Sequence, residues 1–285
     1  MKVIFIIALL LAIFALYCRV TGNTYNSYIF GASKIQGKST LVPFEGMIFP
    51  NWWLVEKARF SSKEKQEEYN VNLIEAFVVK WILEGRIKVI PEAMNPKNAR
   101  MSLCPDNDFA DPTEVELYKM FLDASGEGFV LDGKTFKKWA KNHIKPLVEY
   151  HDQVMACGEQ YFNALGYLDK DKHTVPDKYP QMRQAMELKN YLNDFNGAEG
   201  QNPAQPRPWK DYLVLGMLFD CHAKLLPQLK VQRPADFCDY ARSIGMDPNE
   251  LLYNMEAVPL VVAPGFVEAA KMYGRDSVDP LLYGH

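Results

Sequence analysis

A chain of 285 residues, 48% apolar and 24% charged, is long enough for one or two domains and too apolar for wholesale disorder. With 17 glycines and 18 prolines it is neither collagen-like nor of low complexity. The formal charge is −3; without Lys2 and Arg19, the only charges in the first 22 residues, 30 basic groups face 35 acidic ones, so the body is a poor general binder of polyanions.

The N-terminus carries the clearest signal. Val3 to Cys18 is a run of sixteen uncharged residues between Lys2 and Arg19. Extended through Val20-Thr21-Gly22 it approaches the roughly 20 apolar residues of a membrane helix, with Arg19 placed to snorkel. Residues 1–22 therefore read as a membrane anchor, contacting the bilayer through residues 3–20. A cleaved signal peptide, cut near Val20-Thr21-Gly22, is the competing reading. Bulky Tyr17 argues against a lipoprotein site at Cys18.

Residues 23–50 read as a linker ending in a docking segment, Leu41 to Phe49. Helices are expected over 51–68 and, more clearly, over 72–84, where Leu73, Ala76, Phe77 and Trp81 recur at helical spacing before Gly85. Alternation at 86–90, a turn at 91–97 and a return strand at 99–103 make a hairpin. A helix, a glycine stop and a hairpin close a first winged-helix-like unit, 51–111. A second spans 112–196: Pro112 opens a helix with Asp111 as its cap, Phe129-Val130-Leu131 is a short strand, 134–145 is a helix and 146–165 a longer one. After a charged loop at 169–179 comes a helix at 180–195. A Pro- and Gly-rich linker, 197–208, precedes a C-terminal helical region, 209–285. There, 209–226 forms one very apolar helix, too interrupted by charge to span a membrane, and three short helices follow near 234–244, 248–256 and 264–273. The fold class expected is mainly α with small β wings (α+β).

The run Leu73-Ile74-Glu75-Ala76-Phe77-Val78-Val79-Lys80-Trp81-Ile82-Leu83-Glu84-Gly85-Arg86-Ile87-Lys88-Val89 resembles a block of the YciQ-like predicted membrane proteins, LIGA, two apolar residues, then LKWLKEGKI. Three further blocks agree in order. Val42 to Phe49 is similar to the family's IPCNGDIF segment. Glu116 to Phe121 with Phe136 to His143 is similar to its LY-x-ML and F-x-KW-x-KKH segments, and Trp209 to Phe219 to LWEEYLIFAQLFG. Together they cover roughly residues 40 to 230. The resemblance implies a cytoplasmic body of paired winged-helix units behind a single-pass helix in the inner membrane. It brings no known activity, and it offers a LemA-like membrane protein as a partner.

Chemistry-bearing patterns are few. Lys134, Lys137, Lys138, Lys141 and Lys145 fall on one face of the expected helix 134–145, opposite Phe136, Trp139, Ala140, His143 and Ile144. In a winged helix this is the recognition position, so these lysines are the candidate contact for an anionic partner. The alternative is a solvated face balanced by nearby acids, and the helix lacks arginine, the commonest base reader. No HExxH, GxSxG, Walker or GxGxxG pattern occurs, so no catalytic residue, cofactor or metal is expected. His143 reads as a packed residue; Trp52-Trp53 near the anchor reads either as an interfacial aromatic belt or, as the resemblance implies by placing the pair on the first docking helix, as core. The five cysteines, Cys18, Cys104, Cys157, Cys221 and Cys238, form no CxxC pair and read mostly as small buried residues in a reducing compartment. The expectation is a non-enzymatic, membrane-anchored scaffold or interaction module, with a membrane-tethered nucleic-acid-binding regulator as the alternative.

Overall fold

In the computed structural model the described residues are 29–31, 35–59, 71–92, 95–106, 108–109, 111–195 and 207–276. The expected anchor and most of the 197–208 linker lie outside them. Among the described residues no helix is long and apolar enough to cross a membrane.

The chain is mainly helical with one small antiparallel sheet. Helices α1 (Ile48–Arg59) and α2 (Val71–Leu83) lead into strands β1 (Ile87–Ile90) and β2 (Arg100–Leu103). Then come α3 (Pro112–Ser125), β3 (Val130–Asp132), α4 (Gly133–Ala140) and α5 (Ile144–Ala164). The C-terminal part holds α6 (Tyr179–Asn193), α7 (Trp209–Leu218), α8 (His222–Gln232), α9 (Ala235–Ser243) and α10 (Pro248–Asp276).

Helix α2 is apolar almost all round, and Leu73 to Leu83 is buried apart from Lys80, as befits a central helix. It packs against α7 and α10, while α1 lies along α5 and α4 along α10. The hairpin pairs Ile87 with Leu103 and Val89 with Met101. Its base is pinned by the Tyr118 hydroxyl, which donates 3.0 Å contacts to the carbonyls of Arg86 and Cys104. Trp52, Trp53, Trp81 and Trp209 are all at most 2% exposed, so the tryptophan pair is core. Asp111 caps α3, accepting from the Thr113 amide at 2.9 Å.

Strand β3 pairs with β2, Met101 opposite Leu131, so the strand assigned to the second winged unit completes the sheet of the first. The two halves meet in one three-stranded sheet, ordered β1-β2-β3.

Four expectations are corrected. The 134–145 helix breaks after Ala140: the Asn142 and His143 amides turn back to the carbonyls of Trp139 and Ala140, His143 adopts a non-helical φ of −128°, and Pro146 falls in the first turn of the next helix, where a proline is tolerated. Lys145 consequently belongs to α5, which starts at Ile144 rather than at Pro146. The 209–226 helix ends at Leu218: Asp220 turns left-handed (φ 59°), its N–H reaches the Met217 carbonyl, and the Cys221 N–H reaches Gly216. These two bonds form a Schellman stop built without glycine. The last two expected helices are one, α10, which runs through Pro259 and Pro264. Proline φ is helical, so each proline removes a bond without forcing a stop. Finally, of the four cysteines among the described residues only Cys221 is buried; Cys104 is exposed and Cys157 and Cys238 are half-buried.

The α1–α5 crossing is set by Gly158. A Cβ there would lie 2.6 Å from Trp53 Cβ and 3.1 Å from the Phe49 carbonyl oxygen. Alanine should gain up to about 1 kcal/mol of helix propensity yet lose roughly 1–3 kcal/mol to overpacking. Gly158→Ala is therefore expected to lower the urea midpoint; a raised midpoint would show that the helices separate freely.

Candidate functional site

The five lysines do not form one face. Lys134, Lys137 and Lys138 are exposed on α4, Lys141 caps its C-terminus and Lys145 sits on α5. Glu268 of α10 takes Lys137 at 3.1 Å and Lys141 at 3.3 Å. Hydrogen bonds from these two lysines hold its carboxyl below the usual range. Lys145 pairs with Glu149 at 3.5 Å. Lys134 and Lys138 make no ion pair with a described residue. On the inner side Phe136 and Ala140 are fully buried. His143 stacks on Trp139 (ring centroids 4.2 Å apart), and Trp139 Nε1 donates to Asp123 at 2.6 Å. The histidine is thus half-buried packing, as its neighbours suggested.

Among the described residues a cleft of about 670 Å³ lies elsewhere, within the size range of small-ligand sites. Three helix N-termini border it: Met47 and Ile48 at α1, Asp111 and Pro112 at α3, and Lys210 and Asp211 at α7. Phe77 and Lys80 of α2 and Cys157, Tyr161 and Ala164 of α5 complete its walls. The turn leading into α1 is unusual. Phe44 (φ 49°), Glu45 (φ 53°) and Gly46 (φ 74°) are consecutive left-handed residues, which is costly for the first two. Phe44 is held there by edge-on contacts with Phe162 (5.2 Å) and Tyr167 (6.2 Å). Gly46 is favoured by its φ, and a Cβ there would fall 2.5 Å from Asp211 Oδ1 and push that carboxylate aside.

The charges of the cleft fall into two groups. Lys80 is tied to buried Glu114 at 2.6 Å, and Glu114 also accepts from Trp81 Nε1 at 2.7 Å. Lys210 is tied to Glu84 at 2.7 Å. Asp211 and Glu45, in contrast, have no hydrogen bond or ion pair to another described residue. Burial, partly offset by Lys210, raises the Asp211 carboxyl above the usual range. Burial likewise raises the Cys157 thiol, with Asp111 adding to it, and the Tyr161 hydroxyl, to which Tyr167 and Glu45 contribute. Thiol and phenol are thus held in their neutral forms, a state suited to contact rather than to nucleophilic attack. Among the described residues no group of three or more His, Cys, Asp or Glu side chains is placed to hold a metal ion.

Sequence reasoning reached one wall of this cleft, the docking segment ending at Phe49, and the Asp111 cap. Lys80, Cys157, Tyr161 and Asp211 are far apart in the chain, and although Lys80 and Asp211 lie in the family-like blocks, nothing in those blocks marks them as meeting at one cleft. No family model, curated protein or solved structure matches the chain.

Proposed function

We propose that the chain is a non-enzymatic interaction module that receives a partner in the cleft bordered by α1, α3, α5 and α7. The observation that carries this reading is the state of the cleft's polar groups. Lys80 is tied to buried Glu114 and Lys210 to Glu84 at the surface, and the thiol and phenol stay protonated, so the cleft offers shape and charge rather than an activated nucleophile. In this reading residues 3–20 anchor the protein in the inner membrane with its body in the cytoplasm. The α2–hairpin and α3–β3–α4 segments act as joined winged-helix-like elements of the YciQ-like kind, used for protein contact. A LemA-like membrane protein is the proposed partner class. A nucleic-acid-binding regulator would instead depend on the lysines of α4 and its C-cap, of which Glu268 occupies Lys137 and Lys141.

The test is recovery of partners from membrane fractions by tagged full-length protein. Ala164 is exposed on the cleft wall, and Ala164→Trp should fill the cleft and abolish recovery. Joint replacement of Lys137, Lys138 and Lys141 by Gln should leave recovery intact. The reverse pattern, together with salt-sensitive duplex DNA binding lost in the triple variant, would replace this reading with the regulator.

A further inference from the structure

The cleft's charge layout also indicates what it admits. Helix N-termini ordinarily favour anions, and three of them border this cleft. Each already has a carboxylate of the chain beside it. Asp111 accepts from the amide and hydroxyl of Thr113 at the start of α3. Asp211 lies in the first turn of α7, and Glu45 stands three residues before α1 on the strained turn. An incoming anion would meet these three carboxylates and could reach the two lysines only by breaking ion pairs of 2.6 and 2.7 Å. An incoming cation would meet two carboxylates that make no hydrogen bond or ion pair with another described residue, with the Lys210 charge near Asp211 already drawn to Glu84. It would also meet aromatic side chains: half-buried Phe49 and Tyr161 pack edge to face with centroids 5.5 Å apart, while Phe77 on the α2 side is buried and contributes only its edge of apolar wall. Aromatic faces beside carboxylates are the setting in which ammonium groups are held by combined ion pairing and cation–π attraction.

We propose that the cleft binds an organic ammonium group, with Asp211 and Glu45 as its counter-charges and Phe49, Tyr161 and Phe77 as its apolar walls. This rests on the cleft being the binding surface, as argued above. The ammonium comes either from a free amine or from a lysine side chain of the partner. Asp211 is the deeper contact, because its carboxyl is half-buried against Gly46, whereas Glu45 at the rim guides entry.

The experiment is calorimetric titration of the full-length protein in detergent with three probes: 1,5-diaminopentane, a blocked tripeptide with a central lysine, and glutarate as a dianion of similar length. The two amines should bind with unit stoichiometry and glutarate should not. Asp211→Asn should weaken the amines by about tenfold, Glu45→Gln by less, and Ala164→Trp should abolish binding. Tighter binding of the tripeptide identifies a protein lysine as the source; tighter binding of the diamine identifies a free amine; either supports the proposal. Because Glu45 is exposed, its variant carries the test if Asp211→Asn fails to fold. Glutarate binding with the amines silent overturns the ammonium assignment, as do amine affinities unchanged in both carboxylate variants. If no probe binds yet Ala164→Trp still abolishes partner recovery, the ammonium assignment falls and the cleft reading survives. If Ala164→Trp also leaves recovery intact, both fall.

Discussion

Replacing Trp81 by alanine is expected to cost about 3–5 kcal/mol, the usual toll for emptying a large buried aromatic site. On a chain of this size that lowers the melting temperature by on the order of 10 °C. Trp81 is fully buried, with its ring edge-on to Tyr118 at 4.8 Å and to Phe121 at 5.6 Å. The indole also does polar work. Its Nε1–H donates to Glu114, which is 2% exposed and has Lys80 as its other partner. Trp81→Phe retains much of the ring volume but strips one donor from a buried carboxylate, a loss of about 1–3 kcal/mol. Thermal melts of both variants should therefore rank wild type, Phe, Ala. If phenylalanine melts with the wild type, the indole–carboxylate bond contributes nothing and the site is purely apolar.

The second large effect is on pH dependence. Glu75, in the middle of α2, is 3% exposed and one of its carboxylate oxygens has no partner. Burial, reinforced by the negative charge of Asp220, raises its carboxyl from 4.5 to about 8. The folded protein therefore keeps this proton over a range where the unfolded chain has released it. Between about pH 4.5 and 8 the native state binds more protons, so this group makes stability fall as pH rises and reach its floor above the upper value. The difference is on the order of 3–5 kcal/mol. Glu75→Gln keeps the shape and removes the titration. Urea unfolding across this window should show the variant gaining on the wild type as pH rises; a constant difference would place Glu75 in a solvated position.

Much of the element order was legible because local signals agreed with tertiary need. Gly85 stops α2, the Asp111–Pro112 pair opens α3 and Gly126 ends it, each through backbone geometry that the residue itself imposes. The misjudged places are those where tertiary structure overrides local preference. Asp220 takes a left-handed stop usually given to glycine, and Pro259 and Pro264 are absorbed in a helix they would ordinarily end. The lysine pattern is present in the sequence but its partner is not local, since Glu268 lies more than a hundred residues beyond Lys137. The cleft was the least legible feature. Its walls come from five helices and the turn before α1, and no spacing rule links Asp211 to Gly46 before the chain has folded.

The pairing of β3 with β2 bears on how this protein can be divided. The stretch around residue 111 looks like a seam, with a turn, a cap and a helix start, yet the hydrogen bonds of the sheet cross it. A fragment ending there would carry a two-stranded ribbon, with the edge of β2 bared in addition to that of β1 and with Met101 deprived of its partner Leu131. Two-stranded ribbons are marginal alone, and open edges recruit other chains. A cut near residue 111 would therefore divide a sheet and not a linker, and a fragment that keeps this sheet whole has to run from β1 through β3.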